Sequence, residues 1–202
     1  IPIGKSAKEG FYSDGVSYGF FDELFKDGTI ADIAAKYDLT NQLVSEFKVV
    51  EQQSVNGESD YQYLKDKGNI VIGITDFKPM DYRNEKGEWI GFDADMAAAF
   101  AESLGVAVEF VEIDWDNKIL ELDGKTIDCV WNGMTLTDEV KSAMECSNAY
   151  CNNAQVVIVP VEKAADYQTV ESLEGLAFAV EAGSAGEAEV TALGLDCTPV
   201  KA

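Results

Sequence analysis

Apolar residues first recur at helical spacing between Gly19 and Leu39. Phe20, Phe21, Leu24 and Phe25 share one face, and Asp27-Gly28 breaks the run. Thr29 then reads as the N-cap of a second helix, with Asp32 three residues on and Ile30, Ile33, Ala34 and Tyr37 turned inward. From about Glu46 to Asp60 the pattern dissolves into polar residues, which marks a linker, taken as residues 44–60. Beyond it strands and helices alternate. Ile70 to Ile74 is near-continuously apolar, as a strand buried on both faces requires. Phe92 to Leu104 is helical, with Asp93 and Asp95 near its start and Gly105 past its end. The series continues with a strand Ala107–Ile113, a short helix Lys118–Leu122, a strand Ile127–Trp131 and a helix Thr137–Met144. Strands Gln155–Val159 and Leu176–Val180 and a helix Ala185–Leu193 complete it. Such repetition predicts an α/β class with parallel sheets. Ligands of these sheets bind outside the carboxyl ends of the strands, which directs attention to the loops after Ile74, Ile113, Trp131 and Val180.

Charge and composition narrow the chemistry. The 202 residues carry 15 Lys and Arg against 37 Asp and Glu, a formal charge of −22, which repels phosphate backbones and anionic headgroups. Nucleic acid and membrane-surface partners are therefore not expected. With no histidine, Ser-His-Asp and Cys-His catalysis and His-ligated zinc are excluded. The four cysteines lack C-x-x-C spacing; Cys146 and Cys151 could bridge in an oxidising compartment or remain thiols. No run of about 18 apolar residues offers a membrane span. No cofactor or metal is expected: Asp93-Ala94-Asp95 lacks a third ligand and runs straight into a helix, so its carboxylates read as helix N-terminal charges.

Two loops share a design. Trp131-Asn132-Gly133-Met134-Thr135-Leu136-Thr137 and Glu181-Ala182-Gly183-Ser184-Ala185-Gly186-Glu187 each leave a strand through glycine and enter a helix through a hydroxyl residue. Exposed backbone amides at such turns can cradle a carboxylate, or the turns can be ordinary capped ones. Phe77 and Trp115 stand on the other two loops, where a ring can sandwich the flat part of a solute or cap the core.

Gly73 through Tyr82, Gly91 through Met96, Asp114-Trp115-Asp116, Ile127 through Thr135, Ser147 through Tyr150 and Ala182-Gly183-Ser184 together resemble the bacterial family 3 solute-binding proteins. These are the extracellular amino-acid receptors of ABC importers. Phe21 to Leu39, with its Lys36-Tyr37 pair, resembles that family's C-terminal helices, so the order resembles a circular permutation or a junction of two receptors. The resemblance also implies that part of the second lobe is missing.

The expectation is a periplasmic-binding-protein-like (type II) fold, with two α/β lobes, a hinge and a cleft. Residues 16–43 and 61–150 would form the first lobe, and residues 1–15 and 151–202 the second. Strand Gln155–Val159 and the segment near Val16–Gly19 would cross the hinge. By resemblance, Phe77 and Trp115 would sandwich the ligand, Asn132, Gly133, Met134 and Thr135 would contact it, and Ser184 and Ala185 would touch it from the second lobe. Val140 falls where the family places its carboxylate-clamping arginine, and the amine-binding aspartate lies in the missing stretch. The implied protein is a monomeric, non-catalytic receptor, extracellular or periplasmic, with a lipid anchor allowed in the full-length form. It would bind a small polar, amino-acid-like solute and deliver it to an importer permease. A cyclohexadienyl-dehydratase-like enzyme and a sensing module in a permuted or engineered chain are the alternatives.

Overall fold

A computed structural model describes residues 22–46 and 60–200, and they fall into two compact units. The first holds residues 22–46, 60–113 and 117–152; the second holds residues 114–116 and 153–200. The segment near Val16–Gly19, residues 1–15, most of the linker and residues 201–202 lie outside the described residues.

In chain order the first unit contains α1 (Thr29–Lys36), α2 (Asp60–Lys67), β1 (Asn69–Ile74), β2 (Tyr82–Arg83), β3 (Trp89–Ile90), α3 (Phe92–Leu104), β4 (Ala107–Glu112), α4 (Lys118–Asp123), β5 (Cys129–Val130) and α5 (Asp138–Ala143). Its main sheet is parallel in the order β4-β1-β5, with Asn69 opposite Ala107 and Gly73 opposite Val130. Central β1 is apolar along its length because both its faces are covered: Ile70, Ile72 and Ile74 are fully buried. Helix α3 contributes Met96, Ala97, Phe100, Ala101 and Leu104 to the same core, and α1 adds Ile30 and Ala34. Both ends of α3 are set by glycine, Gly91 before it and Gly105 in the left-handed conformation after it. At the start of α1, Gly28 is the cap residue, and the Asp27 side chain rather than Thr29 supplies the acceptor, taking the Thr29 amide at 2.9 Å.

The second unit is built on β6 (Phe178–Glu181) and β7 (Cys197–Val200), parallel neighbours joined through α6 (Ala185–Ala192). Ser184 caps α6, its hydroxyl accepting from the Glu187 amide. Among the described residues of this unit only Trp115 and Leu173 are buried apolar side chains. The expected strand Gln155–Val159 does not form, since no β-ladder among the described residues includes it. Val156 and Ile158 are 76% and 92% exposed. An apolar run becomes a strand only when a neighbour offers backbone donors and acceptors, and the described sheet here holds two strands.

Candidate ligand-binding site

In the first unit the turns after β1 and β5 come together. Asn132 donates from Nδ2 to Thr75 Oγ1 at 2.6 Å, and both side chains are buried, so this pair ties the two strand ends to each other. The Asn132 Nδ2 is therefore spent on the fold, while its Oδ1 has no donor among the described residues. Phe77 is held by Asp81: the Phe77 amide donates to the Asp81 carbonyl at 2.7 Å and the Asp81 amide to the Phe77 carbonyl at 3.0 Å. Its ring is half exposed and rests on Gly133, where an added Cβ would come 2.6 Å from Phe77 Cε1. Glycine at 133 thus lets the Phe77 ring sit close; the demand comes from this approach and not from backbone angle. The Gly133 amide has no acceptor among the described residues and stays available beside the ring. Met134 and Thr135 are half buried next to it.

The helix that follows does little for an anion. Thr137 caps α5 by accepting the Val140 amide at 3.2 Å, and Val140 itself is buried. Its position holds apolar packing, with no guanidinium to clamp a carboxylate.

In the second unit, Asp116 lies against Gly183: a Cβ there would meet Asp116 Oδ1 at 2.9 Å, and the residue has φ of 69°. The Gly183 amide donates to Glu187 Oε2 at 2.8 Å and the Ser184 amide to the Glu181 carbonyl at 3.2 Å. The turn therefore does not offer a fully open anion cradle. Glu187 occupies one donor, while the Ala185 and Gly186 amides have no acceptor among the described residues. The Asp116 and Glu187 carboxylates beside the turn favour a cationic group on any solute there. Trp115 differs from Phe77: it is 8% exposed against 49%.

Three acidic residues carry interactions that sequence reasoning missed. Asp95 accepts from Lys36 Nζ at 2.5 Å and from Tyr37 Oη at 2.8 Å, so the Lys-Tyr pair fastens α1 to the start of α3. The Asp93 side chain is not a solvated helix-terminal charge. It is fully buried and accepts the Tyr150 hydroxyl at 2.9 Å. Asp81 is also fully buried, and burial first, then the Asp93 charge, raises its carboxyl well above the usual aspartate range. No signal in the sequence sets Asp81 apart from the other acids. The cysteines at 146 and 151 are free thiols.

At the carboxyl ends of β1 and β5 the first unit thus places a half-exposed ring beside an amide that has no acceptor among the described residues. The profile of the bacterial extracellular solute-binding proteins, family 3, matches residues 70–185, and the chain belongs to that family. It is similar to the arginine-binding extracellular protein ArtP of Bacillus subtilis, 30% identical over 65% of this chain and 51% of that one. It is likewise similar to the cyclohexadienyl dehydratase of Pseudomonas aeruginosa, 29% identical over 64% of this chain and 50% of that one. Among solved structures, arginine-bound truncated ArgBP from T. maritima superposes with a TM-score of 0.65 at 33% identity, covering 69% of this chain and 66% of that one. The α/β fold is therefore the periplasmic-binding-protein fold. The chain spans about half the length of the curated relatives it matches.

Proposed function

We propose that this protein is an extracellular or periplasmic receptor that binds a small, amino-acid-like solute and hands it to the permease of an ABC importer. The observation that carries the reading is the half-exposed Phe77 ring seated on Gly133, beside an amide without an acceptor among the described residues, at the carboxyl ends of two parallel strands. That is where open α/β sheets hold their ligands. In this reading Phe77 and Trp115 flank the solute, Asn132, Gly133, Met134 and Thr135 contact it from residues 16–43 and 61–150, and Ser184 and Ala185 from the second lobe. The protein acts as a monomer, and closure of the lobes on the solute is what the permease recognises.

Similar proteins bind arginine, histidine and cystine by name. The acidic groups at Gly183 favour a solute whose far end is cationic. The protein captures and does no chemistry on its ligand. Histidine is absent, and the two carboxyls whose protonated form burial favours, Asp81 and Asp93, are themselves fully buried, out of a solute's reach.

The test is a thermal-shift screen with arginine, histidine, cystine, polyamines and small carboxylates on the wild type and Phe77→Ala. At a hundredfold excess over its dissociation constant a ligand stabilises by about 2.7 kcal/mol. A basic amino acid should raise the melting temperature of the wild type and raise that of Phe77→Ala less. Silence across the whole panel would end the receptor reading.

A further inference from the structure

We propose that Arg83 is a positioning residue for the Phe77 ring: its guanidinium pins the β2–β3 hairpin to the end of β4 and so fixes the turn that carries Phe77. The functional part of the proposal rests on Phe77 facing the solute; the pinning does not. The chain leaves β1 at Ile74, whose register partner across the sheet is Glu112, the last residue of β4. It passes through Phe77 and Asp81, which bond each other through their backbones, and enters β2 at Tyr82. Arg83 follows, and its Nη2 donates to Glu112 Oε2 at 3.2 Å. The segment that presents the ring thus starts and ends on one row of the main sheet.

The hairpin needs such a hold. Its strands have two residues each, Tyr82 opposite Ile90 and Arg83 opposite Trp89, and their sheet has two strands among the described residues. A two-stranded hairpin alone in water is at best marginally stable. One exposed ion pair adds little by itself, because two flexible side chains must be ordered in a high dielectric. Arg83 differs in being fixed on three sides. Its guanidinium carbon lies 4.1 Å from the Trp89 ring centroid, Nη1 donates to the Gly87 carbonyl at 2.9 Å, and Nη2 reaches Glu112. The stack and the Gly87 bond already orient the plane, so the pair with Glu112 forms with little further loss of freedom.

The hold passes back to the turn. Lys78 Nζ lies 4.8 Å from the Tyr82 ring centroid, which links the residue after Phe77 to the residue before Arg83. On its other side the turn is clamped to α3, where the Met80 carbonyl accepts the Asp93 amide at 2.9 Å. That clamp is made of backbone, whereas the pin is made of half-exposed side chains. Salt therefore weakens the pin and spares the clamp.

The experiment uses the full chain with labelled phenylalanine rings, followed by NMR without ligand, Phe77 being assigned by the signal lost in Phe77→Leu. In Arg83→Ala the Phe77 ring signals should move, and exchange of the Phe77 amide should quicken about fivefold. The signals of Phe92 and Phe100, both buried in the core, should stay in place. Glu112→Gln should move the Phe77 signals the same way by less, and Arg83→Lys, which keeps the charge without the plane, should restore them only in part. At about 1 M salt, where the screening length is about 3 Å, the wild-type Phe77 signals should drift toward those of Arg83→Ala, and the variant's should not move. With arginine as the probe, calorimetric titration should give an affinity about fivefold weaker in Arg83→Ala than in the wild type. Phe77 signals indifferent to both Arg83→Ala and Glu112→Gln, or shifts shared equally by Phe92 and Phe100, would overturn the pin. A moved ring with an unchanged arginine affinity would overturn its functional part. Should arginine not bind the wild type, the pin stands or falls on the ring signals alone. Ring shifts in a protein that no compound of the thermal panel stabilises would support the pin while overturning the receptor reading.

Discussion

Replacing Gly91 by alanine should destabilise the first unit by about 3–5 kcal/mol, a large part of the 5–15 kcal/mol that holds an ordinary domain folded. Gly91 has φ of 135°, a conformation that side-chain-bearing residues rarely adopt. An added Cβ would lie 2.6 Å from the Met80 carbonyl carbon and 2.9 Å from the Asp81 nitrogen, and closer still to the Met80 oxygen. These are backbone atoms and cannot swing aside. That carbonyl accepts the Asp93 amide, and the Pro79 carbonyl accepts the Phe92 amide at 3.0 Å, so relief of the clash would tear the start of α3 from the turn. Urea unfolding measures the loss directly. A midpoint close to the wild type's would show that the turn can shift without cost and that the clamp is loose.

Gly133→Ala should do the reverse, sparing stability and harming binding. Its backbone is not in the left-handed region, so the methyl costs little conformationally. The collision is with Phe77 Cε1 at 2.6 Å and Cδ1 at 3.0 Å, atoms of a ring that is half exposed and can move. The ring leaves its seat instead of unfolding the unit. Aromatic contacts are worth about 0.5–1.5 kcal/mol beyond area, so affinity for the solute identified in the thermal screen should drop about tenfold. Calorimetric titration of wild type and variant checks this. Equal affinities would remove Phe77 and Gly133 from the site.

What could be read from the sequence was whatever is enforced locally. Helix α3 is legible at both ends because Gly91 and Gly105 punctuate an unbroken apolar run. Helices α5 and α6 announce themselves through Thr137 and Ser184, whose hydroxyls do cap them. The β1 strand is legible because burial on both faces leaves no polar residue between Ile70 and Ile74. Elements that depend on distant partners were hidden. The hairpin strands β2 and β3 have two residues each, too short for a period to show, and in α2 Leu64 is the sole aliphatic residue, beside Tyr61 and Tyr63. Val156-Val157-Ile158-Val159 has a strand's composition but no ladder among the described residues. Strand β7 was missed because Pro199 sits within it.

The site was legible by place and less so by role. Strand-end loops pointed to Phe77 and Gly133, which the fold brings into contact, and to Asn132, whose side chain turns inward to Thr75. Phe77 and Trp115 look alike in sequence, although one ring is half exposed and the other buried, because exposure depends on what packs above each loop. The burial of Asp81 and Asp93 was unreadable, because it depends on Gly91 letting the Met80 carbonyl approach the start of α3.

The most direct measurement is amide-detected NMR of the full chain during titration with the solute found in the thermal screen. If both units grip a single solute, the amides of Gly133 and Thr135 and those of Ser184 and Ala185 should shift along one shared saturation curve. Shifts confined to one unit, or two curves with separate midpoints, would contradict it.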